Sequence, residues 1–358
     1  SASVHSFGER AKEAVEEARE KVAIIIGAKS DQIYFTNSAT EANNIIIKGR
    51  ILFADKCATS IISPRIITSN TEHSSVKNCL SKIVDDRMCT GYGSLSWLNI
   101  GIDNLGNLDY ELLDSMLDRV TKLDTNTILV SILAVNNEIG TIHDLYRIGD
   151  ICKKHNVLFH TDATQAIGNI TIDVDKMNIF ALTMSGHKIY GPKGVGALYV
   201  RDKSLVEPLT DGGYQNTFIS GTQNVPAIVG MGKACELCNE KENIKIEQLR
   251  NCLLHKLTKE IPDIIVNGTM VNRLQNNLSV TIPGVSASIL VKGMDDVIIS
   301  GGPACGSGDL QPSHVIEALG TPHPECAIRI GLGRKTTQNE IEFAADRIIE
   351  IVQSIRSE

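Results

Sequence analysis

Between His160 and Val200 the chain twice brings a short apolar run to an abrupt polar end, first at His-Thr-Asp and again at Ser-Gly-His-Lys, with Gly-Pro-Lys-Gly directly after. Runs of this length bounded by glycine and proline read as buried strands. The pattern recurs upstream: Ile33 to Thr36 leads into Asn-Ser-Ala-Thr, Arg65 to Ser69 into Asn-Thr-Glu-His, and Thr127 to Val135 into Asn-Asn-Glu. Helical periodicity fills the intervals, clearest from Phe7 to Ile26, where Ala11, Val15, Ala18 and Val22 keep one face apolar and Gly27 ends it. Strands alternating with helices specify an α/β fold with a mostly parallel sheet. Ligands of such sheets bind beyond the carboxyl ends of the strands. Residues 39, 73, 137, 162 and 185–188 each follow an apolar run, which predicts one pocket at that edge. The highly charged stretch Asn239 to Gln248 marks the domain boundary, so that 1–240 forms a large domain and 241–358 a smaller α/β domain.

Charge and composition narrow the function. A formal net charge of −7 argues against a nucleic-acid surface as the main business. No apolar run reaches the ~18 residues of a membrane span, and the polar opening stretch has no signal-peptide pattern. Nine cysteines, an odd number without secretory features, read as reduced thiols in a cytoplasmic compartment. The close pair Cys235 and Cys238 lacks the second pair that a structural zinc site needs, and no resident metal is expected.

Individual residues carry two readings each. Lys188 at a buried strand end, flanked by Ser185 and His187, sits where a solvated ammonium is costly and where Schiff-base lysines occur; the plain alternative is a lysine that snorkels. Asp162 suits a protonated pyridine nitrogen, or it caps a helix starting near Ala163. Ala39 and Thr40, small residues where a strand turns into a helix, offer free N–H groups to a phosphate, or form an ordinary N-terminus. His73 stacks on a cofactor ring and moves protons, or is a structural histidine. Asn137 reads as a hydrogen-bond partner for a ring substituent. Cys305, on a tether rich in glycine and proline, is a travelling nucleophile or an inert loop thiol. Arg329 is a planar clamp for a carboxylate or an ion-paired arginine.

The stretches SVHSFGERAKEAVEEAR, FTNSATEANN, TEHSSV, AVNNEIG, HTDATQAIG, SGHKIYGPKGVGALYV, SGTQNVPAIVG, GPACGSGDLQPSHVIEALG and IRIGLGRKTTQNEI follow one another in order from about Ser3 to Glu340. Together they resemble the pyridoxal-phosphate cysteine desulfurases of the NifS/IscS type, within the class V aminotransferases. The resemblance implies fold type I, with the C-terminal domain carrying the catalytic cysteine loop. It implies Lys188 as the lysine that bonds the cofactor and shuttles a proton, Asp162 as the ring-nitrogen partner, and His73 stacked on the ring. Asn137 and Gln165 bond the ring oxygen, and Ala39, Thr40, Ser185 and His187 bind the phosphate. Thr222 reaches the phosphate of a neighbouring subunit, which implies a homodimer. Asn137 and Arg329 hold the substrate, and Cys305 takes its sulfur as a persulfide. The implied reaction converts L-cysteine to alanine and passes sulfur to an acceptor protein in iron-sulfur cluster assembly or thiolation; Cys305 could transiently ligate such a cluster.

Departures leave other readings open. The family's opening strand has no counterpart here, Ile219 stands where an arginine is usual, and the apolar stretch from Ile51 to Pro64 is longer than expected and reads as a protein contact. The alternatives are a selenocysteine lyase or another class V aminotransferase, and a non-catalytic interaction protein in sulfur transfer.

Overall fold

The computed structural model describes residues 5–58, 63–90, 94–122, 127–212, 218–301 and 312–357. They form two compact units. The first comprises Ser1–Ile100, Asp109–Val135 and Asp144–Cys238; the second comprises Gly101–Leu108, Asn136–His143 and Asn239–Glu358. Two short excursions of the N-terminal part therefore pack with the C-terminal part, in addition to the division near residue 240.

In the first unit, helix α1 (Ser6–Ile24) precedes strand β1 (Ile33–Thr36), helix α2 (Ala39–Cys57), β2 (Arg65–Ser69), α3 (Ser74–Thr90) and β3 (Ser96–Ile100). Then come α4 (Tyr110–Lys122), β4 (Thr127–Ser131), α5 (Leu145–Lys154), β5 (Phe159–Asp162), β6 (Ala181–Ser185), β7 (Gly196–Val200) and α6 (Val225–Glu236). The strands make a seven-stranded sheet in the order β1-β7-β6-β5-β4-β2-β3. Only β7 runs against its neighbours, so the sheet is mostly parallel, as the sequence pattern predicts. Every strand other than β7 thus ends at the same edge. Burial holds the layers: Ile46 and Ile47 of α2, Ile66 of β2, Leu80 of α3, Leu129 of β4 and Leu198 of β7 are fully buried in one cluster, each stabilising the fold by about 1.5–3 kcal/mol relative to exposure.

From Ile51 to Cys57 the apolar stretch is the continuation of α2, with Ile51 and Ala54 turned into this core; residues 59–62 lie outside the described residues. Arg50 lies among them, its guanidinium donating to the carbonyls of Leu205 and Ile128 and packing on the Phe53 ring. Ile219 is buried in the same cluster, and its neighbour Phe218 meets Tyr34 edge-on at 4.8 Å. After β5 the chain makes consecutive turns where a helix was expected, with Gly168 at φ 75°, a left-handed conformation that a helix does not continue through.

In the second unit, helix α7 (Glu240–Glu260), strands β8 (Ile265–Val266) and β9 (Asn277–Thr281), helices α8 (Ala287–Gly293) and α9 (His314–Ala318), strand β10 (Ala327–Gly331) and helix α10 (Gln338–Ser357) follow in order. The strands form an antiparallel sheet, β10-β9-β8. The charged stretch read as a boundary opens a helix: Lys241 and Lys245 are exposed while Ile246, Leu249, Leu253 and Leu257 form a buried stripe.

Gly149 in α5 shows how closely helix and chain approach. A Cβ there would lie 1.8 Å from the Met177 carbonyl oxygen. Helix propensity favours alanine by about 1 kcal/mol, and the clash outweighs it. Gly149→Ala is expected to lower stability by roughly 2–3 kcal/mol, read as a shift in the urea midpoint; an unchanged midpoint would contradict this packing.

Candidate active site

The carboxyl edge of the first unit's sheet gathers most of the residues singled out from sequence. At the end of β1, Ser38 caps α2, its hydroxyl accepting from Glu41 N at 3.1 Å. Ala39 and Thr40 open the helix, where first-turn N–H groups lack intrahelical acceptors and the helix dipole is positive. Beside them, at the start of β7, Gly196 leaves no room for a side chain: a Cβ would meet Ser38 C and Met184 O at 2.8 Å. The start of β7 thus packs directly on the backbone that leads into α2.

At the end of β6, Ser185 Oγ and His187 Nδ1 lie 2.8 Å apart. Burial first, then the charges of Lys188 and Lys193, push the His187 pKa down. Lys188 rides on a short turn, Gly186–Ile189, that ends at Tyr190 in a left-handed conformation (φ 65°). This corrects one expectation: Lys188 is exposed in the chain, so burial in the strand is not what distinguishes it. The 3-10 turn lifts its side chain out of the sheet.

Asp162 ends β5 and is only 7% exposed. Its Oδ1 accepts from Thr164 N at 3.0 Å and its Oδ2 from Asn43 Nδ2 at 2.7 Å. Both donors are neutral, and among the described residues no salt bridge to Asp162 is found. A buried carboxylate held only by neutral donors keeps lone pairs that can accept from a further, cationic N–H. That donor set and the exposed α2 terminus fit a pyridoxal phosphate, ring nitrogen at Asp162 and phosphate at Ala39 and Thr40. Gln165 follows in the turn after β5, half-buried, its carbonyl accepting from Asn169 Nδ2.

Beneath Asp162 the sheet is polar. His160 lies between Ser131 (2.8 Å) and Thr183 (3.2 Å), and burial pushes its pKa down to about 4, so it is neutral. Glu72 is fully buried, its Oε1 accepting from Ser69 Oγ at 2.7 Å and Leu133 N at 3.0 Å. Burial above all, with a smaller push from the nearby Asp162, raises its pKa to about 8. His73, at the start of α3, is exposed and takes a hydrogen bond from Ser75 N on its Nδ1 at 3.1 Å. Thr222 is exposed, just before α6.

Asn43, Ser75, Glu72 and His160 were not singled out from sequence. Asn43 left one signal: it occupies the stripe of α2 shared with Ile46, Ile47 and Arg50, a polar side chain where the spacing calls for an apolar one.

The second unit holds the other two candidates together. Arg329 on β10 donates from Nη1 to the Asn137 carbonyl at 3.0 Å. Asn277 Nδ2 holds the next carbonyl, Glu138 O, at 3.0 Å, and the buried Arg273 holds Asn277 in turn. Ser300 pairs with Arg329 through both backbone groups, at 2.7 and 3.0 Å. A small cleft lined by Glu138, Ser279, Gly301, Ser313 and Arg329 opens beside it. Cys305 lies outside the described residues; Gly301 and Ser313, the N-cap of α9, stand on either side of its stretch in sequence.

The description "Aminotransferase class-V" belongs to the family model that matches residues 1–343. Over 361 residues the chain is 39% identical to a protein named cysteine desulfurase IscS from Ehrlichia chaffeensis, covering 98% of this chain and 84% of that one. It is 40% identical over 360 residues to the mitochondrial cysteine desulfurase of Arabidopsis thaliana, covering 98% and 76%. It is similar to the solved structure of a NifS-like protein, with a TM-score of 0.86 at 32% identity, covering 98% and 90%.

The Glu72 environment makes a pH prediction. Its pKa is raised from 4.5 to about 8 on folding, so the folded chain binds the extra proton between those values. The resulting stability is fully present below pH 4.5 and is lost as pH rises through about 8. Unfolding midpoints of the cofactor-free chain should fall over that window, and Glu72→Gln should flatten the fall. Parallel curves for the two proteins would place Glu72 in a charged state when folded.

Proposed function

The chain belongs to the class-V aminotransferase family, and from that premise we propose that it is a pyridoxal-phosphate-dependent cysteine desulfurase of fold type I, which converts L-cysteine to L-alanine and passes the sulfur on through Cys305. The observation that carries this reading is the buried Asp162, satisfied by neutral donors alone, at the same sheet edge as the Ala39–Thr40 terminus and the Lys188 turn. Pyridoxal phosphate, when bound, supplies an electron sink for carbanion chemistry at the substrate Cα. Asp162 would pair with the ring nitrogen and favour its protonated form. The N–H groups of Ala39 and Thr40, with Ser185 and His187, hold the phosphate; Asn137 and Gln165 bond the ring oxygen. Lys188 Nζ would hold the cofactor and would serve as the base for the substrate Cα proton. His73 would stand against the ring, with Nε2 free to move a proton.

Arg329 takes the substrate carboxylate. One of its nitrogens is committed to the Asn137 carbonyl, which fixes the guanidinium plane and leaves its remaining donors for the two carboxylate oxygens. The Cys305 thiolate attacks the substrate sulfur: an S–S bond forms as the Cβ–S bond breaks, the electron pair stays with the carbon skeleton, and protonation releases alanine. Thr222 completes the phosphate site of a second copy, so the working form is a homodimer. In this division of labour 1–240 binds the cofactor and 241–358 carries the cysteine loop. The acceptor is a protein of iron-sulfur assembly or thiolation, in a cytoplasmic compartment. None of the described helices is long and apolar enough to cross a membrane.

Lys188→Ala is expected to abolish the visible absorption band of the reconstituted protein, and Cys305→Ser to keep the band while losing persulfide and sulfide. Arg329→Ala should raise the KM for L-cysteine roughly 10- to 100-fold by loss of charge-assisted hydrogen bonds. Normal sulfide release by Cys305→Ser would remove that cysteine from the reaction.

A further inference from the structure

Asn43 is fully buried on α2 and has both amide protons engaged. One goes to Asp162 Oδ2 at 2.7 Å and the other to Ser75 Oγ at 2.8 Å. The orientation of the amide follows from the chemistry of its neighbour: an ionised carboxylate only accepts, so the group facing it is the NH2. Ser75 Oγ, having accepted from Asn43, has its own proton left for His73 Nδ1, 2.8 Å away. Ser75 N donates to the same Nδ1 at 3.1 Å. Two donors aimed at one ring nitrogen make Nδ1 an acceptor, and the neutral imidazole therefore carries its proton on Nε2. The hydrogen bonds run outward from Asn43 in both directions, and they join α2, α3 and β5.

We propose that Asn43 is a positioning residue for the Asp162 carboxylate and that Ser75 extends its hold to His73, so that the carboxylate and the imidazole are set as one hydrogen-bonded unit. This rests on the cofactor reading above. Asn43 and Ser75 would act on the cofactor through Asp162 and His73 and not by contact with it. A merely structural Asn43, filling space between α2 and β5, would cost stability without depending on the charge of Asp162.

The test is a double-mutant cycle with Asn43→Ala and Asp162→Asn, read as the dissociation constant of pyridoxal phosphate from the cofactor-free chain and as the induced circular dichroism of the bound cofactor. Thermal unfolding of the cofactor-free proteins serves as the control for folding. With Asp162 present, Asn43→Ala should weaken cofactor binding ~10- to 100-fold, the range of a hydrogen bond to a charged group. In the Asp162→Asn background, the same change should cost less than about 3-fold. Equal losses in both backgrounds, or none in either, overturn the proposal. Ser75 gives a gentler second pair should Asn43→Ala fail to fold: Ser75→Ala should alter the dichroism, and Ser75→Thr, which keeps the hydroxyl, should restore it. Identical dichroism in all three overturns the link to His73. If the unaltered chain binds no pyridoxal phosphate, the cofactor reading itself fails, and the proposal with it.

Discussion

A buried carboxylate at the end of a central strand sets the conditions for everything around it. Asp162 loses most of its hydration on folding, and the described chain answers with two neutral donors and no cation. Such a charge is stable where donors are aimed at it, and it can still accept from a cation. The sheet order gathers the other candidates at the same edge: β1, β6, β5 and β2 all end there, and with them the α2 terminus, the Lys188 turn and His73. The carboxylate beneath, Glu72, is pushed toward its neutral form, so the floor of the site carries one charge instead of two repelling ones. The neutral His160 below adds none.

The second unit solves a different problem, the placing of a guanidinium. Arg329 is held by a strand pairing on each side, with Ser279 and with Ser300, and by its bond to the Asn137 carbonyl. Arg273 and Asn277 brace the same segment from behind. A clamp that is already oriented loses less entropy when a carboxylate arrives. Asn137 and Arg329 lie almost two hundred positions apart in sequence and share one hydrogen bond, so any shift of one is felt by the other.

Much of this was legible in the chain. β1 and β2 begin and end where the apolar runs do, at Ile33–Thr36 and Arg65–Ser69, because fully buried strands admit almost no polar residue until they leave the sheet. The polar ends of those runs marked His73, Asp162 and Ser185 for the same reason. Other features depend on contacts that local spacing does not encode. Asn43 reaches Asp162 across 119 positions, and nothing within α2 says which strand its amide will meet. The charges of Asn239 to Gln248 mark the division between the units, which falls at Cys238/Asn239, while the buried stripe of α7 emerges only over the full helix. Lys188 was expected to be buried because it follows a buried run; the turn that exposes it depends on Tyr190 adopting a conformation that few non-glycine residues take.

The central claim is that this edge holds pyridoxal phosphate and uses it on L-cysteine. The most direct measurement is the visible absorption spectrum of the protein reconstituted with pyridoxal phosphate, recorded before and after L-cysteine, with alanine and sulfide assayed in the same sample under reductant. The account predicts a visible band that shifts on adding cysteine, with alanine and sulfide appearing in equal amounts. A protein that shows no band after reconstitution, or a band that cysteine leaves unchanged with no alanine formed, would contradict it.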